Sequence, residues 1–134
     1  LLSHLYNTVE QRSEWLELAQ HGIDFIDRAG FDTDGRMFFQ VDREGRPLRK
    51  RRYAYSESFA AIAYGEMARA TGNDEYAAKA IRLHGQYIAD ALEAISDDFA
   101  LILVITHVEE LKDRFPSRIE VVKTPTGSTF TILE

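Results

Sequence analysis

Apolar residues recur at helical spacing through most of residues 2–95. Leu2, Leu5, Tyr6 and Val9 fall three or four apart and predict a first short helix. Ser13 suits an N-cap, with Glu14 and Glu17 in the first turn, where a carboxylate meets the positive end of the helix dipole. Trp15, Leu18, Ala19, Gly22, Ile23 and Ile26 make the apolar face of that second helix, and Gly30 stands where a C-terminal cap belongs. Asp34-Gly35 is a turn, 37–41 reads as a short strand, Arg43-Glu44-Gly45 is a second turn, and Pro47 and Leu48 begin a return segment. Ser56 can cap a helix over 57–70 whose face is Phe59, Ile62, Ala63 and Met67, closed by Thr71-Gly72-Asn73. Asn73 or Asp74 opens another, with Tyr76, Ala80, Leu83 and Tyr87 on one face. Its spacing continues through Ala91 or Leu92 to Ile95.

Beyond Ile95 the period changes. The continuous apolar run 101–105 predicts a strand buried on both faces. Residues 108–115 read as a short helix, and 118–123 alternate with Ile119 and Val121 on one face. Residues 124–127 form a turn and 128–133 a last strand. The fold class is α+β: helices with a β-hairpin, then a small β-α-β-β tail. A strand buried on both faces needs neighbours that so short a tail supplies only in part. Uncovered apolar surface and self-association are therefore expected.

Composition narrows the function classes. The 134 residues are 45% hydrophobic and 28% charged, the balance of a globular chain rather than a disordered one. Net charge is −6, and 5 of those negative charges are the excess from Asp90 onward, which argues against direct nucleic-acid binding. No cysteine is present, so disulfides and cysteine-zinc sites are excluded. No apolar run nears the roughly 18 residues of a membrane span. The run Arg49-Lys50-Arg51-Arg52 reads as a solvated basic rim.

Two stretches carry family resemblances. The first is Asp34-Gly35-Arg36-Met37-Phe38-Phe39, then Arg43-Glu44-Gly45-Arg46-Pro47, Tyr53-Ala54-Tyr55-Ser56-Glu57-Ser58-Phe59 and Arg69-Ala70-Thr71-Gly72-Asn73-Asp74 with Tyr76. In that order these resemble the N-acylglucosamine 2-epimerase family over 1–88. The resemblance implies part of an (α/α)6 barrel in the cytoplasm, an amino-sugar substrate and no cofactor. It implies inversion of the carbon beside a sugar carbonyl, with histidines as general acid and base. Those histidines belong to a later part of the family's chain, and His4, His21 and His84 do not match them. Tyr55 and Glu57 match the stretch facing the inner pocket and so become candidate substrate-binding residues. Read from the residues alone, Glu57 is equally a first-turn acid placed by the helix dipole, and Tyr55 a packing aromatic. With the main catalytic residues unmatched, no activity is expected of the chain alone.

The second stretch runs from Ala91-Leu92-Glu93 through Leu103-Val104-Ile105-Thr106-His107-Val108-Glu109-Glu110-Leu111 to Ile119-Glu120-Val121 and Gly127-Ser128. It resembles the C-terminus of the Rad50 and SbcC ATPases of DNA double-strand-break repair, over 89–134. The resemblance makes His107 a candidate nucleotide-sensing residue at the end of a buried strand, where an α/β sheet presents ligand contacts. Phosphoryl transfer also needs a Gly-rich phosphate cradle with lysine, and no G-x-x-x-x-G-K-[ST] occurs here. The two resemblances together imply a fusion of two fragments. The alternative is a C-terminal portion of such an ATPase.

Overall fold

The structure is a computed structural model that describes residues 1–50, 55–106, 111, 115 and 117–133. Four α-helices carry the core: α1 (Leu2–Thr8), α2 (Ser13–Ala29), α3 (Tyr55–Thr71) and α4 (Asp74–Ile95). Between α2 and α3 lies a small antiparallel pair, β1 (Gln40–Val41) with β2 (Pro47–Arg49). A second hairpin, β3 (Arg118–Thr124) with β4 (Gly127–Leu133), closes the described chain. The α+β class and the two hairpins agree with the sequence reading.

The core gathers Ile23 of α2, Met37 of the connecting loop, Ala60, Tyr64 and Met67 of α3, and Leu83 of α4. Leu16, Ala19, Ile26, Phe31, Tyr76 and Ala80 pack around them. α3 and α4 form an antiparallel pair across the tight turn at Gly72, whose φ of 68° lies in the left-handed region that only glycine adopts cheaply. Asn73 caps α4, its side chain accepting the Glu75 N–H at 2.9 Å. α4 runs unbroken to Ile95, as its apolar spacing predicts. α1 is tied down by Asn7, whose amide donates to the Glu66 carbonyl at 3.1 Å and to its carboxylate at 3.2 Å.

Several expectations need correction. α2 begins at Ser13 and α3 at Tyr55, so Ser13 and Ser56 lie inside first turns rather than capping them. On α2, Leu16 packs on the core while Leu18 is exposed. The buried face of α3 is Glu57, Ala60, Tyr64 and Met67; of the expected face Met67 is buried and Ala63 packs on the core, whereas Phe59 and Ile62 are 70% and 64% exposed. These two sets stand on opposite sides because α3 is apolar nearly all round and offers no polar stripe to fix its phase. Residues 101–106 form no strand: Leu101, Leu103 and Ile105 are exposed, because no described strand lies beside them to take their backbone hydrogen bonds. Most of the expected 108–115 helix, and His107, lie outside the described residues. Among the described residues no helix is long and apolar enough to cross a membrane.

Candidate functional site

The loop between α2 and α3 uses one turn design twice. Asp32-Thr33-Asp34-Gly35-Arg36 and Asp42-Arg43-Glu44-Gly45-Arg46 share the spacing of aspartate, glycine and arginine. In the first, the Asp32 N–H donates to the Arg36 carbonyl at 2.7 Å and the Gly35 N–H to the Asp32 carbonyl at 3.0 Å. In the second, the matching bonds from Asp42 and Gly45 measure 2.9 and 3.0 Å. The glycines have φ of 78° and 88°, which the chain reversal requires. The arginines then part company. Arg46 folds back onto Asp42 at 2.6 Å and stays largely in solvent. Arg36 turns inward.

Arg36 reaches across the core-facing end of α3 to α4. Its Nε donates to Glu57 Oε1 at 3.1 Å, and its two terminal nitrogens pair with both carboxylate oxygens of Asp90. Glu57 Oε1 also accepts the Met37 N–H at 3.1 Å. The Arg36, Glu57 and Asp90 side chains are 17%, 0% and 22% exposed. Burial works against the guanidinium charge, but the bonds to Glu57 and Asp90 outweigh it and hold Arg36 above its ordinary pKa. Glu57 Oε2 is buried and accepts no hydrogen bond among the described residues. The cluster joins the loop, α3 and α4, with one cation facing two anions.

A second polar pin fastens α2 to the α3–α4 pair. Asp27 accepts the Tyr64 hydroxyl and the Lys79 ammonium, each at 2.6 Å. Lys79 also lies over the Tyr64 ring, 5.2 Å from its centroid. Burial pulls the Asp27 carboxyl upward, but the bonds from Lys79 and Tyr64 outweigh it and hold its pKa below the usual value. Burial, then the Asp27 carboxylate, push the Tyr64 hydroxyl well above its ordinary pKa.

The residues singled out from sequence are thereby separated. Glu57 points into the core and is held by Arg36. Tyr55, at the start of α3, is more than half exposed, on the side that also carries Phe59 and Ile62. His107 lies outside the described residues, so the structure brings it to no site. His4, His21 and His84 are exposed on α1, α2 and α4, and His4 Nδ1 sits 3.3 Å from the Glu66 carboxylate. Sequence reasoning missed Arg36 as the partner of Glu57 and Asp90 as the second partner of Arg36. One signal was available: Asp90 falls seven residues after Leu83, a charge on the apolar stripe of α4. A charge on such a stripe is buried only with a partner.

Residues 2–102 match the family described as N-acylglucosamine 2-epimerase (GlcNAc 2-epimerase). Among curated proteins, the chain is 30% identical over 74 residues to a cellobiose 2-epimerase of Dictyoglomus turgidum, covering 54% of this chain and 19% of that protein. It is 33% identical over 88 residues to the Homo sapiens N-acylglucosamine 2-epimerase, covering 63% of this chain and 21% of that protein. The chain thus spans about a fifth of the length of these relatives. The family match extends past residue 88 and takes in Asp90, the α4 partner of Arg36. Nothing in these matches supports the Rad50 and SbcC resemblance of the tail.

Proposed function

This chain belongs to the N-acylglucosamine 2-epimerase family, and we propose that its helical part serves as a substrate-side wall of a sugar 2-epimerase. The observation that carries this reading is the division of α3. One face is locked into the core by Glu57, Ala60, Tyr64 and Met67, while Tyr55, Phe59 and Ile62 stand exposed on the other. An aromatic face on a rigid support suits a sugar: the rings cover its C–H faces, and the Tyr55 hydroxyl can orient one of its oxygens. In this reading Tyr55 touches the sugar. Glu57 acts one step removed, fixing the first turn of α3 through Arg36 and the Met37 N–H.

Inverting a carbon beside a carbonyl requires a proton to leave one face and another to arrive on the opposite face, through groups of near-neutral pKa. The exposed His4, His21 and His84 sit on separate helices, and Arg36, Glu57 and Asp90 are engaged with one another. The described part therefore binds and orients a sugar but supplies no opposed acid–base pair. The substrate class is an amino sugar such as an N-acylated hexosamine, with a reducing disaccharide as the competing ligand.

The test is NMR of the chain mixed with N-acetylmannosamine, N-acetylglucosamine or cellobiose. Saturation transfer to the amino sugars, diminished by Tyr55→Ala and Phe59→Ala, is the expected result, with no epimer accumulating. Equal transfer in wild type and both variants would remove the α3 face from the site. Epimer formation by the chain would overturn the expected inactivity.

A further inference from the structure

The Arg36–Glu57–Asp90 cluster divides its hydrogen bonds unevenly. Asp90 takes both terminal nitrogens of Arg36 on its two carboxylate oxygens. Glu57 is left with the single Nε–H, on the same oxygen that accepts the Met37 N–H. Its second oxygen, Oε2, is buried and accepts nothing among the described residues. This division runs against what burial favours. Glu57 is wholly buried while Asp90 is 22% exposed, so an empty oxygen costs more on Glu57 than it would on Asp90. An arginine fork commonly makes two parallel bonds to one carboxylate, and turning this one onto Glu57 would fill Oε2. Asp90 prevents that turn by holding the fork from α4. The Arg36 backbone cannot follow, because its carbonyl accepts the Asp32 N–H at 2.7 Å and its own N–H donates to Asp34 at 2.9 Å.

We propose that Asp90 is a positioning residue for the sugar-facing side of α3: it holds the fork of Arg36 on α4, so that Glu57 and the first turn of α3 stay where Tyr55 meets a sugar. This rests on the reading of α3 as a substrate-side wall. Tyr55 stands two residues before Glu57 in the same helical turn, so a displacement of the Glu57 backbone is carried to Tyr55. α4 is the firm end of the arrangement. Asn73 caps it, and Leu83, seven residues before Asp90 on the same face, is fully buried. Without the Asp90 carboxylate, one buried carboxylate remains for the guanidinium, and the fork closes on both Glu57 oxygens. The turn pins the loop end of Arg36, so the movement falls on the first turn of α3. Glu57 keeps its cation in that arrangement, and the core keeps its charge balance. What changes is the placement of Tyr55.

The test compares Asp90→Asn, Asp90→Glu, Tyr55→Ala and Asp27→Asn in the full chain. N-acetylglucosamine is the probe, titrated by NMR under conditions where helix circular dichroism shows every variant folded. Asp90→Asn should weaken binding by about tenfold or more, near the loss from Tyr55→Ala. Asp90→Glu still offers two oxygens to the fork and should recover most of that loss. Asp27→Asn breaks the separate pin to Tyr64 and Lys79. It should lower the urea midpoint yet hold the affinity within about twofold, as an independent site does. Asp90→Asn should lower the midpoint less than Arg36→Met, because Glu57 keeps its cation. If Tyr55→Ala weakens binding and Asp90→Asn stays within about twofold of wild type, the proposal is overturned and the wall stands. No binding, or binding indifferent to Tyr55→Ala, removes the wall and the proposal with it. A loss in Asp90→Asn that Asp90→Glu fails to recover, or that Asp27→Asn matches, gives Asp90 a merely structural role and also overturns the proposal. So does an Asp90→Asn midpoint as low as that of Arg36→Met.

Discussion

Replacing Arg36 by methionine keeps the length of its stem and removes the charge that Glu57 faces inside the core. Glu57 is wholly buried, and its carboxylate would retain only the Met37 N–H. Removing one member of a buried pair, so that the other charge stands uncompensated, costs about 3–5 kcal/mol. With a urea slope near 2 kcal/mol per M, the unfolding midpoint followed by helix circular dichroism should fall by roughly 2 M. Glu57→Gln alone should cost less, about 1–2 kcal/mol, because the amide oxygen can still accept from Met37 and from Arg36. The decisive variant carries both changes. In Arg36→Met with Glu57→Gln no unpaired charge remains in the core, and Asp90, at 22% exposure, can turn to water. The double variant should then be more stable than Arg36→Met alone. Midpoints that drop by the sum of the single effects, or an Arg36→Met shift below about 0.5 M, would refute the view that this charge pair locks the loop to α3.

Other predictions follow from single features. Asp27 and Glu66 are held below their ordinary pKa, Glu66 by bonds from Asn7 and His4 that outweigh its burial. The stability they contribute is complete above the unfolded carboxyl value of about 4 and is lost as pH falls through their lowered folded values; urea midpoints from pH 7 to pH 2.5 should show that loss, and Asp27→Asn should flatten it. Gly45→Ala should cost more than Gly72→Ala although both have positive φ, because a Cβ at 45 would lie 2.6 Å from the Ala29 Cβ while one at 72 meets nothing within 4 Å; about 1–2 kcal/mol of backbone strain is common to both, and thermal melts read the difference. Leu83→Ala should cost about 2–5 kcal/mol. Phe59→Ser and Ile62→Ser should stay within about 0.5 kcal/mol, the ordering opposite to that expected if Phe59 and Ile62 were buried.

How far the sequence was legible varied element by element. α4 was readable because Tyr76, Ala80, Leu83 and Tyr87 recur at helical spacing on one face, and the Thr71-Gly72-Asn73 turn carries its own backbone chemistry. The β3–β4 hairpin was readable from its alternation and its Thr-Pro-Thr-Gly turn. α3 was recognisable as a helix but not in phase: with Phe59 and Ile62 on one side and Ala60, Tyr64 and Met67 on the other, hydrophobicity alone cannot choose. A buried acid decided it, and Glu57 is buried only because Arg36, distant in sequence, arrives beside it. The apolar run 101–105 matched a buried strand in composition, yet burial depends on neighbours that the local sequence does not encode. For the candidate site, the sequence singled out Tyr55 and Glu57 together, but that Glu57 turns into the core toward Arg36 while Tyr55 stays exposed came from tertiary contacts.

The paired turns show how a short local code can be reused with different consequences. Both fix the arginine's backbone by the same hydrogen bonds, so neither side chain has to be ordered from scratch when it finds a partner. In the outer turn that rigidity only trims a surface loop. In the inner turn it makes the Met37 amide a reporter, because its proton is donated to a carboxylate sealed beneath α3. That amide can exchange with deuterium only when α3 lifts from the loop. In a segment that otherwise has little regular structure, it should exchange as slowly as the helical core and follow the opening of the whole helical unit.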